Sequence, residues 1–493
     1  MILLDKLLYK KKNNTTSRIS SIDPSESRII QCPYCFKKFS HEDVHFKAMT
    51  IKSAADWEGS FGDFGVKEDE IDPFGNTAEG RTNSNADDFG IKEDEADPFG
   101  SSEEEASESE PHRLPEEYAR LFQEKEDPLF KKFWQRYANT LSWEYATYPV
   151  ITKSDTQMIK GTYREDGDGM VFSVTDRYGM ETRERICPYC HNPLPANYGK
   201  YPVYFIATVG ITSSGKTVYL SQLFKGMDEY MSNVNLASLG MSSSINEFLK
   251  NHPIEKNIPL PLGTARGILN PPLFYAILDK NAGYTLVFYD VAGEDCVKAD
   301  EMTRYGPFIE NADGILMILD PEQFSQVNLS NDIIASPKTV IDTMFKSFLG
   351  HGKTGEKSEV PLALALSKSD TLEDRNLFPS NSNIFKDLDY DTGYAGFDLR
   401  QYRNLAGEVR RFLSNMPEGR ATLNVIEHCF LRTGFFAFSA LNCEVKKIQK
   451  EMNGLSREVP VPSAHPAPRR IEEPLFWMLS EFGILPKIES TPR

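Results

Sequence analysis

The amino-acid sequence predicts an α/β fold with a mostly parallel six-stranded sheet, together with a small ribbon built around four cysteines. Three observations carry this prediction. From residue 202 onwards, apolar strand patterns alternate with helical patterns, which is typical of a parallel sheet. The pattern Cys-Pro-Tyr-Cys occurs twice, at 32–35 and 187–190. An acidic tract of low complexity separates the two copies and interrupts the ribbon.

The charge of the chain is concentrated in that tract. The 493 residues exceed what one ordinary core accommodates, and their formal net charge is −17. Residues 62–110 contain 17 acidic side chains against three basic ones, which leaves the rest of the chain close to neutral. Because the tract has few large aliphatic residues, it cannot bury enough apolar area to offset its ordering entropy. We therefore predict a disordered acidic insertion over 51–112.

The insertion contains an internal repeat with a period of 25 residues. DFGVKEDEIDPFG (63–75) recurs as DFGIKEDEADPFG (88–100), with 11 of 13 positions identical. Two interpretations stay open: a duplicated disordered stretch, or a pair of linear motifs that present Asp-Pro-Phe to a partner protein. Nucleic-acid binding is unsupported, because the negative tract would repel phosphates.

The hydrophobic pattern, the N-terminal residues and the cysteine content together indicate the cellular compartment. No run of 18 apolar residues is present, so no membrane-spanning helix is predicted. The N-terminal tail, 1–27, begins MILLDKLLYKKKNN, whose basic residues follow the apolar patch instead of preceding it as in a secretory signal. Contact of this tail with a membrane surface stays open. The seven cysteines are odd in number and clustered, which indicates a reducing, cytoplasmic compartment.

The two Cys-Pro-Tyr-Cys copies have two interpretations. A redox dithiol needs its first cysteine at the start of a helix, which lowers the thiol pKa. Pro193 and Pro195 follow the second copy and disfavour a helix there. Four thiolates instead match the ligand set of a tetrahedral structural zinc site, and we predict that site, with the dithiol as the alternative. The predicted zinc ligands are Cys32, Cys35, Cys187 and Cys190.

The segments around the cysteines predict a split ribbon. Strand-like MVFSVT and METRERI flank a turn at 176–179, so the second copy ends a hairpin. With the insertion looped out, residues 28–50 and 168–200 form the ribbon. Residues 113–167 are predicted to be a helical segment and connector, because apolar positions recur every three or four residues over 115–145.

A phosphate-binding loop is the strongest motif in the chain. GITSSGKT at 210–217 fits G-x-x-x-x-G-K-[ST] between a predicted strand and a predicted helix. In such a loop, backbone N–H groups surround phosphates, Lys216 places its ammonium on the β- and γ-phosphates, and Thr217 offers a hydroxyl to Mg²⁺. The predicted phosphate-binding residues are Gly210, Ser213, Ser214, Gly215, Lys216, Thr217 and Val218.

Further motifs follow the ends of other predicted strands. In YTLVFYDVAGED, Asp290 is placed to reach Mg²⁺ and Gly293 to offer its N–H to a γ-phosphate. In LALALSKSD, the Asp370 carboxylate can accept both N1–H and the 2-amino group of guanine, a pairing that adenine does not offer. The six predicted strands are 203–209, 273–278, 284–290, 314–320, 361–367 and 435–440. Helices are predicted between most of them, over 216–231, 300–311, 336–349 and 399–415. A proline-rich loop, 457–470, and a C-terminal helix follow.

In this order, GITSSGKT, DVAGED, SKSD and SAL resemble the translation-factor and Ras-like class of P-loop GTPases. With a cysteine ribbon in front, the chain is most similar to bacterial double-GTPase-type domains linked to conflict or defence gene clusters. The resemblance implies a Ras-like G domain over 201–493, Mg²⁺-dependent GTP binding and slow hydrolysis. It also implies two loops that order around the γ-phosphate. The residues that it implies for guanine recognition are Ser367, Lys368, Asp370, Ser439, Ala440 and Leu441.

The chain departs from the family at two positions, and a third functional residue is not marked by a sharp motif. The guanine motif begins with Ser367 where Asn or Thr is usual, so guanine preference depends on Asp370. Glu294 stands where Ras-like members have the glutamine that orients water, which predicts slow turnover, with Glu294 as a base as the alternative. Thr264 is the candidate for the γ-phosphate-sensing threonine. Lys216, Thr264 and Glu294 are thus the candidate catalytic residues.

Three functional hypotheses remain. The first is a regulatory GTPase whose nucleotide state changes the loops near 264 and 290–300, which a protein effector then recognises. The second is a scaffold or adaptor that holds nucleotide with little hydrolysis. The third is a P-loop ATPase, for which Asp370 would be incidental.

Overall fold

The structure is a computed structural model, and the part of the chain that it describes falls within one of two compact units. One unit comprises Met1–Ala48 and Glu126–Arg493, and the other comprises Met49–Lys125. The predicted tail and the acidic insertion with its repeat lie outside the described residues. The described residues are 28–47, 133, 137, 150–154, 156, 161–167, 169–175, 181–211, 213–261, 270–280, 282–291, 306–324, 336–349, 356–374, 378–390, 395–452 and 455–490.

The N-terminal ribbon consists of three small antiparallel sheets. One is the hairpin of β1 (Ile29–Gln31) and β2 (Lys38–Ser40). The second has the order β4 (Val150–Thr152), β3 (His45–Lys47), β8 (Arg185–Ile186) and β9 (Pro193–Leu194). The third consists of β5 (Thr162–Glu165), β6 (Val171–Thr175) and β7 (Glu181–Thr182). β3 pairs with β8, so segments from before and after the predicted insertion share one sheet.

Two predictions for the ribbon region have partial outcomes. β6 and β7 pair as the predicted hairpin, but METRERI divides into β7 and β8, because Arg183 and Glu184 separate the two pairings. Of the helix predicted over 115–145, the structure describes Phe133 and Tyr137, which are helical, buried and in ring contact.

A seven-stranded sheet forms the centre of the described part. All six predicted strands are present, so the six-stranded prediction is wrong by one edge strand. The added strand is short, only one of its four side chains is buried, and it therefore has no apolar pattern to detect. In spatial order the strands are β11 (Ala237–Gly240), β12 (Leu273–Asp279), β13 (Ala282–Val291), β10 (Val203–Gly210), β14 (Gly314–Leu319), β15 (Leu362–Leu366) and β17 (Thr433–Ala437).

The sheet is mixed, with its parallel strands at one side. β13, β10, β14, β15 and β17 are parallel, whereas β11 and β12 pair antiparallel with their neighbours. Every side chain of β14 and β15 is buried, which is typical of central strands covered on both faces. The parallel strands bring their carboxyl ends to one edge of the sheet, where the predicted motifs lie.

The helices follow the predicted pattern with local changes. The helix expected over 216–231 divides at Gly226 into α1 (Lys216–Lys225) and α2 (Met227–Asn233). α3 (Ser243–Asn251) was not predicted. Residues 306–310, within the helix expected over 300–311, are helical. α4 (Pro337–Met344) continues as a π-helix, Phe345–Leu349, and α5 (Asp370–Asp374) follows β15.

The C-terminal helices cover the side of the sheet that ends in β17. α6 (Leu399–Asn415) begins at the predicted residue, because the Asp398 carboxylate accepts hydrogen bonds from the amides of Arg400 and Gln401. α7 (Pro417–Cys429) was not predicted and packs against α6. The predicted C-terminal helix is α8 (Glu473–Glu481), whose residues 473–480 are all buried against β15 and β17.

A hairpin replaces part of a predicted proline-rich loop. β18 (Val445–Met452) and β19 (Leu455–Pro462) pair antiparallel, so the loop predicted over 457–470 is wrong at its start. The carbonyls of Pro460 and Pro462 accept hydrogen bonds from the amides of Leu260 and Asn257, which shows how a proline-containing strand still bonds to a neighbour. Two short strands, β16 (Phe397–Asp398) and β20 (Lys487–Ile488), pair in parallel and connect the C-terminal segment to the residues just before α6. Among the described residues, no helix is long and apolar enough to cross a membrane.

Candidate functional site

The four predicted zinc ligands come together in the ribbon. The sulfurs of Cys32, Cys35, Cys187 and Cys190 all lie within 4.8 Å of one another, although 151 residues separate the two pairs in the sequence. The Cys32 and Cys190 sulfurs are 3.6 Å apart, and those of Cys35 and Cys187 are 3.8 Å apart. Zinc–sulfur bonds of about 2.3 Å in a tetrahedron would put the sulfurs roughly 3.8 Å apart. The cluster therefore fits a metal ion of this kind.

The two cysteine pairs have the same local structure. In the first, the Cys32 carbonyl accepts from the amide of Phe36, and the Tyr34 amide lies 3.4 Å from the Cys32 sulfur. In the second, the Cys187 carbonyl accepts from His191, and the Tyr189 amide lies 3.4 Å from the Cys187 sulfur. Phe36 and His191 both have left-handed backbones, with φ of 58° and 55°. We call residues 32–36 and 187–191 the first and second knuckle.

The surroundings of the sulfurs favour a bound cation over a redox dithiol. Burial raises the pKa of the Cys32 and Cys190 thiols, whereas hydrogen bonds from the other cysteines, chiefly Cys187, lower the pKa of Cys35. Four thiols this close, three of them buried and that of Cys35 half-buried, cannot all ionise unless a cation offsets their charge. A turn, not a helix, follows the first cysteine of each knuckle, so the helix that a redox dithiol needs is absent from both knuckles.

The predicted phosphate loop lies between β10 and α1. Gly210 ends β10, and a Cβ atom at that position would lie 2.5 Å from the Ser214 hydroxyl, so only glycine fits there. Ser213 and Gly215 have left-handed backbones, with φ of 65° and 81°, which turn the chain sharply into the helix. The Ser214 hydroxyl is buried and forms no hydrogen bond with the described residues. This loop therefore offers both a buried hydroxyl and the N-terminus of α1 to an anion.

Lys216 and Asp290 form a buried ion pair beside this loop. The Lys216 Nζ lies 2.6 Å from Asp290 Oδ1, and the two side chains are 7% and 2% exposed. Asn270 Nδ2 donates to Asp290 Oδ2 at 3.2 Å. Parallel pairing places Asp290 opposite Thr208, two residues before Gly210, and so brings the carboxylate to the start of the loop. Thr217 is buried beside Lys216 at the start of α1, and Val218 is half-buried.

A second ion pair connects the phosphate loop to the predicted guanine motif. Lys368 Nζ lies 2.6 Å from Asp320 Oδ2 and donates to the Ser213 carbonyl at 3.0 Å. The Asp320 side chain is 7% exposed, and its Oδ1 accepts from the Glu322 amide at 2.9 Å. Lys368 itself has a left-handed backbone, with φ of 51°. Ser367 donates its hydroxyl to the Leu319 carbonyl at 3.2 Å and thus fastens this motif to the end of β14.

The residues predicted to read the base also lie together. Ser439 Oγ donates to Asp370 Oδ1 at 2.7 Å and accepts from the Asn442 amide at 2.8 Å. The amide of Ser439 donates to the Arg469 carbonyl, and the carbonyl of Leu441 accepts from the Ala467 amide. Gln222 from α1 donates to the Ala440 carbonyl at 3.2 Å. The segment 439–441 is therefore held from two sides, next to Asp370.

The structure brings together the described members of the predicted nucleotide site and adds three residues to them. Asp320, Asn270 and Gln222 make the contacts given above and were not predicted. Asp320 had a weak signal, because it directly follows the buried strand GILMIL, and Asp290 likewise stands near the carboxyl end of its strand. Asn270 and Gln222 had none. Thr264, Gly293 and Glu294 lie outside the described residues, so their predicted roles stay predictions.

The chain was compared with protein families, curated proteins and solved structures. No family model matches the chain. A curated protein of Mycolicibacterium smegmatis, which carries the provisional name ESX-1 scaffolding and assembly protein SaeC, is 23% identical over 333 residues. That similarity covers 61% of this chain and 80% of SaeC.

Among solved structures, translation elongation factor SelB from Methanococcus maripaludis, in complex with the GTP analogue GPPNHP, is 10% identical. The similarity covers 49% of this chain and 30% of the SelB chain, with a TM-score of 0.20. This score is too low to carry an argument about fold or function.

The cysteine cluster predicts that a metal ion stabilises the protein. We expect the purified chain to hold about one equivalent of zinc, and Cys187→Ser to lose most of it. The midpoint of thermal unfolding should fall by roughly 5–10 °C, because a structural metal stabilises only the folded state. Metal analysis by mass spectrometry and calorimetry measure the two effects. Cys443→Ser is the control, since Cys443 lies outside the cluster, and its zinc content should match that of the wild type. Equal zinc content in the Cys187 variant would contradict the prediction.

The buried ion pair predicts a cost for removing one partner. In the absence of ligand, Lys216→Ala should lower the free energy of unfolding by about 3–5 kcal/mol, because the Asp290 carboxylate is left buried without its cation. Adding Asp290→Asn should recover part of that loss. Denaturant titration of the single and double variants measures both quantities.

An exposed pair provides the control for this measurement. Lys346 Nζ lies 2.7 Å from Oδ2 of Asp342, a residue of α4, and the Lys346 side chain is 70% exposed. Lys346→Ala should therefore change the free energy of unfolding by less than about 0.5 kcal/mol. A loss for Lys216→Ala no larger than that of this control would show that the buried pair does not stabilise the fold.

Proposed function

We propose that this protein is a guanine-nucleotide switch that binds GTP with Mg²⁺ and hydrolyses it slowly. The observation that carries the proposal is the meeting of two predicted motifs at one edge of the sheet. Lys368, from the predicted guanine motif, donates to the carbonyl of Ser213 in the phosphate loop. A loop for phosphates and a loop for a base in direct contact match the shape of a nucleoside polyphosphate.

The phosphate loop supports recognition of the polyphosphate. Lys216 would exchange its contact with Asp290 for the β- and γ-phosphates, to which its ammonium is also attracted. The exchange would free the Asp290 carboxylate for Mg²⁺, directly or through water, and Thr217 would offer its hydroxyl to the same ion. Mg²⁺, when bound, supplies positive charge that neutralises the phosphates. The amides at the start of α1 and the Ser214 hydroxyl would bind the remaining phosphate oxygens.

The second loop supports a preference for guanine. Asp370 can accept hydrogen bonds from both guanine N1–H and the 2-amino group, and Ser439 fixes the orientation of this carboxylate. The Ser439 amide already donates to Arg469, so a neighbouring amide, that of Ala440 or Leu441, would meet guanine O6. Adenine has an amino group in place of O6 and no N1–H donor. With adenine, the remaining acceptor positions of the half-buried Asp370 carboxylate would meet no donor from the base, which would discriminate against ATP.

The cysteine cluster supports a structural role for zinc. Four protein sulfurs fill a tetrahedral shell, so no position remains open for substrate or water. The zinc ribbon over 28–50 and 168–200 and the nucleotide domain over 201–493 thus remain our proposed division of the chain. The narrower likeness to bacterial double-GTPase-type domains, with its link to conflict systems, rests on this combination of ribbon and phosphate loop.

The hydrolytic step rests on predicted residues outside the described part. Glu294 would face a γ-phosphate that repels its carboxylate, from which we expect slow unaided turnover. Thr264 is the proposed sensor of the γ-phosphate, and Gly293 its backbone partner from the second loop. A protein effector would recognise the loops near 264 and 290–300, with the acidic insertion as a second contact.

A scaffold that holds nucleotide without turning it over is the second candidate function. The similarity to SaeC favours it, because that protein is named for scaffolding and assembly. Both candidates use the same nucleotide site, and they differ only in whether the γ-phosphate is removed.

Base preference is the first test of the proposed function. On the purified chain with Mg²⁺, GTP should displace a fluorescent GDP at least roughly a hundredfold better than ATP, which corresponds to about 2.7 kcal/mol. Asp370→Asn should reduce this ratio to below about tenfold, because an amide cannot accept both guanine donors. Asp374→Asn, in the same short helix, is the control and should leave the ratio unchanged. Equal displacement of the wild type by GTP and ATP would favour an ATPase or a scaffold without base preference.

Turnover separates the switch from the scaffold. The wild type should release phosphate from GTP slowly, on the order of 10⁻⁴–10⁻² per second without a partner. Lys216→Ala should remove this release, because the transferred phosphoryl group loses its cation. Phosphate release is measured under single-turnover conditions and with candidate partners added. Nucleotide binding without any release that depends on Lys216 would leave the scaffold as the better account.

A further inference from the structure

The first knuckle packs directly against the elements that carry the proposed nucleotide site. The ring of Phe36, which follows the metal ligand Cys35, contacts three other aromatic rings. Its centroid lies 5.7 Å from that of Phe205, 5.9 Å from Tyr289 and 5.2 Å from Phe308. All three of these side chains are at most 2% exposed. The half-buried Phe36 thus packs against three buried rings, and the position of the knuckle and that of the rings depend on each other.

Hydrogen bonds fix the same junction. Tyr289 donates its hydroxyl to the carbonyl of Pro33, between the two cysteines of the knuckle, at 2.8 Å. Gln31 donates to the Asn311 side chain at 3.1 Å, beside the helical residues 306–310. Burial raises the pKa of the Tyr289 hydroxyl well above its usual value, so the hydroxyl remains a donor at any physiological pH.

Two of the three rings, those of Phe205 and Tyr289, belong to strands that lead into the nucleotide site. Phe205 lies in β10, which ends at Gly210 in the phosphate loop. Tyr289 immediately precedes Asp290 in β13. Because side chains alternate along a strand, Tyr289 faces the knuckle while Asp290 faces the opposite side of the sheet, towards Lys216. A displacement of the knuckle would therefore reach Asp290 through one peptide unit.

We propose that Phe36 and Tyr289 are positioning residues that couple the metal centre to nucleotide binding. With metal bound, the first knuckle holds Tyr289, and Tyr289 holds β13 so that Asp290 stands where it pairs with Lys216 and can reach Mg²⁺. The inference rests on the proposed function and adds to it that metal occupancy sets nucleotide affinity. Thermodynamic linkage makes the effect reciprocal, so that bound nucleotide also retains the metal.

A matched pair of tyrosines separates positioning from ordinary packing. Tyr275 lies on β12, next to β13, is also buried, and also donates its hydroxyl to a backbone carbonyl, that of Phe224 at 3.3 Å. It makes no ring contact with the knuckle residue Phe36, according to the contacts of the described residues. Tyr289→Phe and Tyr275→Phe thus remove the same atom from equivalent settings, but only the first breaks the connection to the knuckle.

The experiment measures GDP affinity and zinc retention on the full-length, zinc-loaded chain. Tyr289→Phe should retain its zinc and should bind GDP about fivefold more weakly than the wild type. Tyr275→Phe should change the GDP affinity by less than about twofold. Zinc release to a chromogenic chelator is then timed with and without saturating GDP. GDP should slow release at least about fivefold in the wild type and in Tyr275→Phe, and less than about twofold in Tyr289→Phe.

The outcomes distinguish this inference from the proposed function. If the zinc-loaded wild type binds no GDP, both are overturned. If it binds GDP, but GDP leaves zinc release unchanged, the coupling is overturned and the proposed function stands. This second measurement needs no substitution, so it decides the matter even if Tyr289→Phe does not fold. Equal GDP affinities for the two tyrosine variants would also overturn the role of Tyr289.

Discussion

The parallel register between β10 and β13 is the constraint on which the rest of the site depends. Thr208 lies opposite Asp290, and Ala207 lies opposite Tyr289. This register brings Asp290 within 2.6 Å of Lys216 and, on the other face, Tyr289 against the first knuckle. A slip of β13 by one residue would exchange its two faces. The Asp290 carboxylate would then face the ring of Phe36, and Tyr289 would face the phosphate loop. The register is therefore specified from both sides of the sheet.

The buried charges show how the protein keeps an anion site folded without an anion. A lone ammonium or carboxylate at 7% or 2% exposure would lose several kcal/mol of hydration, which folding could not easily offset. Lys216 and Asp290 each supply the other's counter-charge. The buried Asp320 carboxylate receives its counter-charge from Lys368, whose Nζ lies 2.6 Å away and whose side chain is 43% exposed. On the proposed function, a bound polyphosphate would compete with Asp290 for Lys216 and would make the Asp290 carboxylate available to Mg²⁺. The Lys216–Asp290 pair would thus serve both the empty and the occupied site.

Much of this arrangement follows from local patterns in the sequence, and the remainder does not. Three features were predictable: the six apolar strands, the loop 210–217 and the four cysteines. Each depends on a few adjacent residues, whose burial pattern, turn chemistry or number of metal ligands can be identified in the sequence. The strand at 237–240 has one buried side chain, and every described side chain of β18 is exposed, so neither shows an apolar pattern. The pairing of Asp320 with Lys368 was equally hidden, because it depends on which strand ends meet in space. Which rings surround Phe36 depends on the docking of two parts of the chain, and no local pattern records it.

Ser367, at the start of the predicted guanine motif, differs from the Asn or Thr that is usual in the GTPases that the sequence resembles. Its hydroxyl donates to the Leu319 carbonyl at the end of β14. The connection to the phosphate loop is made by Lys368, whose ammonium reaches the Ser213 carbonyl while Asp320 holds it from the other side. Because this connection orders the base loop before any base arrives, less conformational entropy remains to be lost on binding. On the proposed function, Lys368 therefore joins the two loops in place of residue 367, and Asp370 still recognises the base.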